Sequence, residues 1–240
     1  MRKILCLLTL ILSTILLSIV AFSVFPFDRK GNILHGIERL WAKIFLFSAG
    51  IDVYLSGQEN LSTGPYVLMC NHQSALDIFV LLASLPFSFR FVAKSGLFKI
   101  PFMGWAMKCV GHISIDRENL RNSKKAFEEA KMKIKKGLNV LIFPEGTRSE
   151  NGTLLPFKRG AFHILGLVKV PVVPLAVYGS SLLMPKGKVL PLSKGNVRIE
   201  IGKPINSGEE KVKKSEIMER IRKEMEILLE KARSKETYAI

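Results

Sequence analysis

The chain has 240 residues, with 36 lysines and arginines against 20 aspartates and glutamates, for a formal net charge of +16. That length suits one catalytic domain with a full core plus a terminal addition. Its three cysteines, Cys6, Cys70 and Cys109, lie in apolar surroundings without paired spacing, which argues against a disulfide framework and fits a reducing compartment.

Residues 4–25 carry no charge. At about 1.5 Å per residue, a helix of that length matches a hydrocarbon core of about 30 Å. The rival is a cleaved signal peptide, whose apolar region is shorter and ends in a small-x-small site. Here the run closes on Phe25-Pro26-Phe27, and a retained anchor is expected. Residues 33–48 follow as an amphipathic helix with Ile33, Ile37, Leu40, Trp41, Ile44 and Phe45 on one face, and Glu38, Arg39 and Lys43 off it. Its place after the anchor predicts a helix at the membrane interface rather than a core-facing one. The flank after the anchor (Arg29, Lys30, Arg39, Lys43) is more basic than Arg2-Lys3 before it. The expected location is therefore the cell inner membrane, with the main domain on the cytoplasmic side. A re-entrant hairpin that enters one leaflet fits equally.

From residue 61 the pattern alternates. Strands are predicted over 66–70, 90–94, 112–116, 138–143, 172–178 and 196–201, and helices over 75–83, 101–109, 119–136 and 159–167. Short apolar runs separated by helices indicate an α/β sandwich. A charged amphipathic helix over about 213–234 closes the chain, with Ile217, Ile221, Met225 and Leu228 inward. The segment 61–202 holds 20 basic and 8 acidic side chains, so most of the excess charge belongs to the domain and not to a tail. Such a surface suits phosphates, on nucleic acid, an anionic membrane or a phosphorylated substrate.

The four histidines, His35, His72, His112 and His163, show no i,i+4 metal spacing. His72 ends one apolar run, and Asp77 opens the next after a Ser74-x-x-Asp77 helix start. For these two to touch, the chain between them must bend. One reading is a dyad in which the carboxylate orients an imidazole that takes a proton from a hydroxyl. The other is that Ser74 and Asp77 only cap a helix. Ile115-Asp116-Arg117 and Phe143-Pro144-Glu145-Gly146-Thr147-Arg148-Ser149 would stand at strand ends, where α/β sheets place their sites. Two arginines there can clamp a phosphate, and Gly146 lets backbone approach a ligand. Taken singly, they read as a surface ion pair and a turn before they read as a site. Lys158-Arg159-Gly160 opens the next predicted helix.

Asn71-His72-x4-Asp77, Ile115-Asp116-Arg117, Phe143 to Ser149, and Val170-Pro171-Val172-Val173-Pro174, in that order, resemble the four blocks of the glycerolipid acyltransferases, the bacterial 1-acylglycerol-3-phosphate acyltransferases above all. The resemblance covers roughly residues 60–205. It implies a glycerolipid-acyltransferase-like αβ sandwich over 59–240, behind an N-terminal two-helix membrane anchor over 1–58. It implies that His72 is the general base and Asp77 its orienting partner. Arg117 is implied to hold the acceptor phosphate, with Glu145, Gly146, Thr147 and Arg148 binding the acceptor and shaping the site. Lys94 stands where relatives carry a basic residue, for the phosphate or an oxyanion. Ser114 departs from the aromatic or apolar residue common at its position. The implied partners are the lipid bilayer, lysophosphatidic acid, and acyl-CoA or acyl-carrier protein as donor, with no cofactor and no metal. Cys70, two residues from His72, offers a competing acyl-enzyme route. A glycerol-3-phosphate or other lysolipid acceptor, or a membrane-anchored anionic-lipid-binding module, remain as alternatives. Nucleic acid is not expected, because no recognition motif is present and aromatics are not interleaved with the basic residues.

Overall fold

The computed structural model describes residues 2–28, 30–116, 120–207 and 213–237, and the side chains of all of these but 120–122, 159, 236 and 237. Two long helices come first, α1 (Arg2–Val24) and α2 (Asn32–Ala49). The Asp28 carboxylate accepts the N–H groups of Asn32 (3.2 Å) and Leu34 (2.8 Å), satisfying donors that the start of α2 leaves open. Gly50, at φ 66°, ends α2 with a left-handed turn whose N–H returns to Leu46 and Phe47. The remaining elements in chain order are β1 (Ile51–Ser56), β2 (Val67–Cys70), α3 (Leu76–Ser84), β3 (Phe89–Lys94), α4 (Met103–Val110), β4 (Ile113–Ile115), α5 (Leu120–Lys135), β5 (Asn139–Ile142), β6 (Val172–Tyr178), α6 (Ser180–Leu183), β7 (Gly195–Ile201) and α7 (Lys214–Thr237).

The strands form one seven-stranded sheet in the order β1-β7-β6-β2-β5-β3-β4. The run β6-β2-β5-β3-β4 is parallel throughout. β7 joins it antiparallel to β6, and β1 lies parallel to β7. Alternation along β2 divides the core. Leu68 and Cys70 pack with Phe45, Ala42 and Leu46 of α2 and with α3. Val67 and Met69 pack with Phe127, Ala130 and Ile134 of α5 and Ile221 and Met225 of α7. The sheet is thus covered on both faces, as parallel sheets require, and the mixed α/β sandwich expected from the alternating pattern is what forms.

Several local expectations are corrected. β1 was not expected, and it lies on the anchor side of the boundary drawn at 58/59, yet it is a full partner of β7. The predicted helix over 159–167 is two short 3-10 turns, Arg159–Phe162 and Ile164–Gly166. Its two glycines weaken a helix interior. The helix over 101–109 begins only at Met103, because Phe102 adopts φ 60°. The core side of α2 is Leu34, His35, Ala42, Phe45 and Leu46, while Ile33, Leu40 and Phe47 are exposed. Glu38, expected on the polar side, binds His112 Nε2 at 2.6 Å across to the domain.

α1 is long and apolar enough to cross a membrane by length and composition. It nonetheless lies along the domain. Near its start Cys6 packs with α2, and Arg2 donates to the Leu192 carbonyl (3.0 Å). At mid-length Thr14 Oγ1 accepts from Trp41 Nε1 (2.9 Å). Near its end Ala21 and Val24 pack with Leu34 and Val110. Its outward face, including Leu8, Leu12, Leu16 and Ile19, is exposed.

Candidate active site

Because β2, β5, β3 and β4 are parallel neighbours, their C-terminal ends share one edge of the sheet. That edge gathers His72 after β2, Glu145 to Arg148 after β5, Lys94 at the end of β3 and Asp116 after β4. Three strand spacings of about 4.8 Å separate β2 from β4, so these ends lie within about 14 Å of one another. Ligands of α/β sheets bind at such an edge.

The chain bends after β2 as the His72–Asp77 spacing requires. Asp77 is fully buried. Its Oδ2 accepts from His72 Nδ1 (2.8 Å), Gln73 N–H (2.8 Å) and Ser74 N–H (2.9 Å). Ser74 Oγ accepts the Leu76 N–H (3.0 Å). One carboxylate oxygen thus reaches back to the helix start and also holds the imidazole, so the pair does more than cap the helix. With Nδ1 donating to a carboxylate, Nε2 is the nitrogen left to accept a proton. Among the described residues Nε2 has no hydrogen-bond partner. The His72 side chain is 15% exposed.

His72 is held from three further sides. Its ring stacks on Phe143 with centroids 4.0 Å apart, and Phe143 stacks in turn on Phe91. Its N–H donates to Glu145 Oε1 at 2.6 Å. Its carbonyl accepts the Ser149 N–H at 2.8 Å. One residue upstream, Asn71 stands in for backbone between β2 and β6: its amide donates to the Val177 carbonyl (2.9 Å) and its oxygen accepts the Val177 N–H (2.7 Å). Gln73 spans to Gly152 and Ser181. Of these supports Asn71, Phe143 and Ser149 stood in the quoted motifs without a role. The signal available for Phe143 was strand alternation, which puts it with Leu141 on the face that carries Cys70 and His72.

Glu145 is 1% exposed, and its Oε2 accepts the Leu155 N–H at 2.7 Å. Burial pushes its carboxyl up to about 7, against the two backbone N–H groups that favour the carboxylate. Each oxygen accepts one backbone N–H, which ties the turn after β5 to His72 and to Leu155. Gly146 turns at φ 72°, where a Cβ would lie 3.1 Å from Lys158. Thr147 is exposed and Arg148 half-buried, next to the Ser149 N–H that holds His72. Lys94 is exposed. Arg148 and Lys94 have no ion-pair partner among the described residues. Arg117 lies outside the described residues. Cys70 is fully buried. Burial, with Asp77 and Glu145 beside it, raises its thiol well above the ordinary range, which makes it a core residue and a poor nucleophile.

The sequence matches a family described as Acyltransferase over residues 52–178. It is 40% identical over 204 residues to the chloroplastic 1-acyl-sn-glycerol-3-phosphate acyltransferase LPAT1 of Arabidopsis thaliana, covering 84% of this chain and 56% of that one. It is 37% identical over 192 residues to the 1-acyl-sn-glycerol-3-phosphate acyltransferase of Saccharomyces cerevisiae, covering 78% and 63%. The chain thus spans a little over half the length of these curated relatives. The crystal structure of the 1-acyl-sn-glycerophosphate (LPA) acyltransferase PlsC from Thermotoga maritima superposes with a TM-score of 0.75 at 25% identity, covering 95% of this chain and 98% of that one. The matched span runs from β1 to the end of β6 and contains the His72–Asp77 pair and the Glu145 clamp: the chain belongs to the acyltransferase family.

Proposed function

We propose that the chain transfers an acyl group from a thioester donor, acyl-CoA or acyl-carrier protein, to the 2-hydroxyl of 1-acylglycerol 3-phosphate, giving phosphatidic acid. The observation that carries this is the His72 Nδ1–Asp77 Oδ2 bond of 2.8 Å, which leaves Nε2 free at a sheet edge lined with cations. Nε2 removes the hydroxyl proton as that oxygen attacks the thioester carbonyl. The buried Asp77 charge steadies the imidazolium that results. The tetrahedral oxyanion needs donors, which backbone N–H groups or Lys94 can supply. The carbon–sulfur bond then breaks, the thiolate takes the proton from His72, and the free thiol leaves. Arg148 and Arg117 hold the acceptor phosphate, with Lys94 as a further cation for it. No enzyme nucleophile is required.

α1 and the outward face of α2 hold the protein on a membrane, with the domain on the cytoplasmic side of the inner membrane. Because α1 is fixed to the domain at both ends, it enters one leaflet rather than crossing the bilayer. The relatives named for this reaction support the assignment of substrate.

The test is release of free thiol from acyl-CoA and from acyl-carrier protein, with and without 1-acylglycerol 3-phosphate, by wild type and His72→Ala. Acceptor-dependent release that the variant loses, while its circular dichroism is unchanged, is expected. Undiminished release by His72→Ala would overturn the general base. Release only with glycerol 3-phosphate or another lysolipid would replace the acceptor. Lipid binding without any release would leave a binding module.

A further inference from the structure

Outside the His72 site, an exposed apolar cluster stands on the 3-10 turn Ser95–Lys99 and on α4. Leu97, Ile100 and Trp105 are 39%, 45% and 53% exposed. Lys94, Lys99 and Lys108 are exposed around them. The segment is firmly built. A Cβ at Gly104 would lie 2.4 Å from the Phe98 carbonyl oxygen, so α4 closes directly onto the turn before it. Phe102, at φ 60° and ψ −63°, sits in a γ-turn that the Met103 N–H closes onto the Pro101 carbonyl at 2.7 Å. A bulky residue rarely adopts that conformation. Here it brings the Phe102 ring to 5.1 Å from Trp105.

An outward indole with leucine, isoleucine and lysines is the composition of a surface seated at the headgroup level of a bilayer. Two observations identify the occupant. The inner side of α4 packs on the end of α1, where Ala106, Cys109 and Val110 meet Ala21 and Val24, so the cluster adjoins the apolar face of α1. The three lysines complement anionic headgroups. Lys94 also ends β3, on the sheet edge that carries His72.

We infer that the 95–108 segment is a second membrane contact, which takes the surface of an anionic phospholipid bilayer. This rests on the reading of α1 as a membrane helix. Two contacts fix the tilt of the domain where one helix would leave it free to roll. They hold the C-terminal edge of the sheet against the leaflet, so that a lysolipid reaches His72 without leaving the membrane.

Trp41 and Trp105 are the two tryptophans of the chain, which makes the contact measurable. In Trp41→Phe protein, emission is read on phosphatidylcholine–phosphatidylglycerol vesicles carrying lipids brominated at the upper acyl chain, with cosedimentation as a separate measure of total binding. The expected result is a blue shift and quenching of Trp105. Substituting Lys99 and Lys108 by glutamate should lower the quenched fraction on anionic vesicles, each lysine counting for roughly five-fold in local partitioning. Wild type compared with Trp105→Phe, a change at an exposed position, gives the same reading if Trp41→Phe fails to fold. Protein that sediments with vesicles while Trp105 keeps its aqueous emission and is not quenched would overturn the second contact and leave α1 as the anchor. Protein that does not sediment would overturn both.

Discussion

Glu145 holds His72 by its main chain: Oε1 accepts the His72 N–H at 2.6 Å, while the Ser149 N–H closes on the His72 carbonyl from the other side. His72 is thereby fixed on both sides of its own peptide units, and the turn that supplies the clamp also carries Arg148. In Glu145→Gln one amide NH2 must face a backbone N–H, and a buried donor left without an acceptor costs about 1–3 kcal/mol. The variant is expected to melt at lower temperature and to lose kcat, with the acceptor KM nearly unchanged. A large rise in KM with kcat intact would mean that Glu145 binds acceptor after all.

The same carboxyl sets a pH dependence. Its ordinary value is 4.5, and in the fold it is about 7. Between these the folded chain keeps a proton that the unfolded chain has released, so this group's contribution is full below 4.5 and is lost as pH rises through 7. The loss is on the order of 3 kcal/mol. Thermal melts across pH 4.5–8 should therefore show a falling component that Glu145→Gln lacks. Equal slopes in both proteins would remove Glu145 as its source.

Asp77 combines helix start and orienting carboxylate, and the two roles separate by substitution. Asn at this position keeps an oxygen for the three donors but removes the charge opposite the imidazolium. Asp77→Asn also places its NH2 where the buried Oδ1 has no partner among the described residues, so it should lose about 1–3 kcal/mol of stability and lower kcat by a factor on the order of 10³ to 10⁴. Asp77→Ala should show a similar loss of activity and, in addition, about 1–2 kcal/mol of destabilisation from the unsatisfied Gln73 and Ser74 N–H groups. Full activity in Asp77→Asn would exclude the orienting role.

The sequence spacing raised contact between this pair as one of two readings, because that contact is local, within six residues of one bend. The rest of the site is not local. Phe143 meets His72 only because β2 and β5 are neighbours, and no spacing within either segment contains that fact. Asn71 binds Val177 across more than a hundred residues. β1 was legible in principle, since Ile51, Val53 and Leu55 alternate with polar or exposed residues between Gly50 and Gly57, but it follows so closely on α2 that the helix masks it. The 159–167 segment fails the other way: its apolar spacing fits a helix, while Gly160 and Gly166 and the short length leave only single turns.

The stack of His72 on Phe143 gives the imidazole a plane as well as a direction. Phe143→Leu removes a ring contact worth about 1 kcal/mol and leaves a small void. The expected outcome is a several-fold fall in kcat with the KM for both substrates retained, and Phe143→Tyr should restore most of it. Unchanged kcat in Phe143→Leu would show that Asp77 and the Glu145 clamp suffice.

Cys70 tests the direct-transfer mechanism against an acyl-enzyme. It shares a strand face with His72, so proximity alone would favour a nucleophilic role. Environment argues the other way: the thiol is fully buried, and the carboxylates of Asp77 and Glu145 oppose its ionisation. A thiol kept protonated neither attacks a thioester nor reacts readily with an alkylating agent. Cys70→Ala should therefore keep near-normal turnover and lose about 1 kcal/mol of stability through the small void. Native protein treated with iodoacetamide should remain unmodified at Cys70. Loss of turnover in a folded Cys70→Ala protein, together with a stable acyl adduct at Cys70 in wild type, would reverse the assignment and make His72 the activator of a thiol rather than of the acceptor hydroxyl.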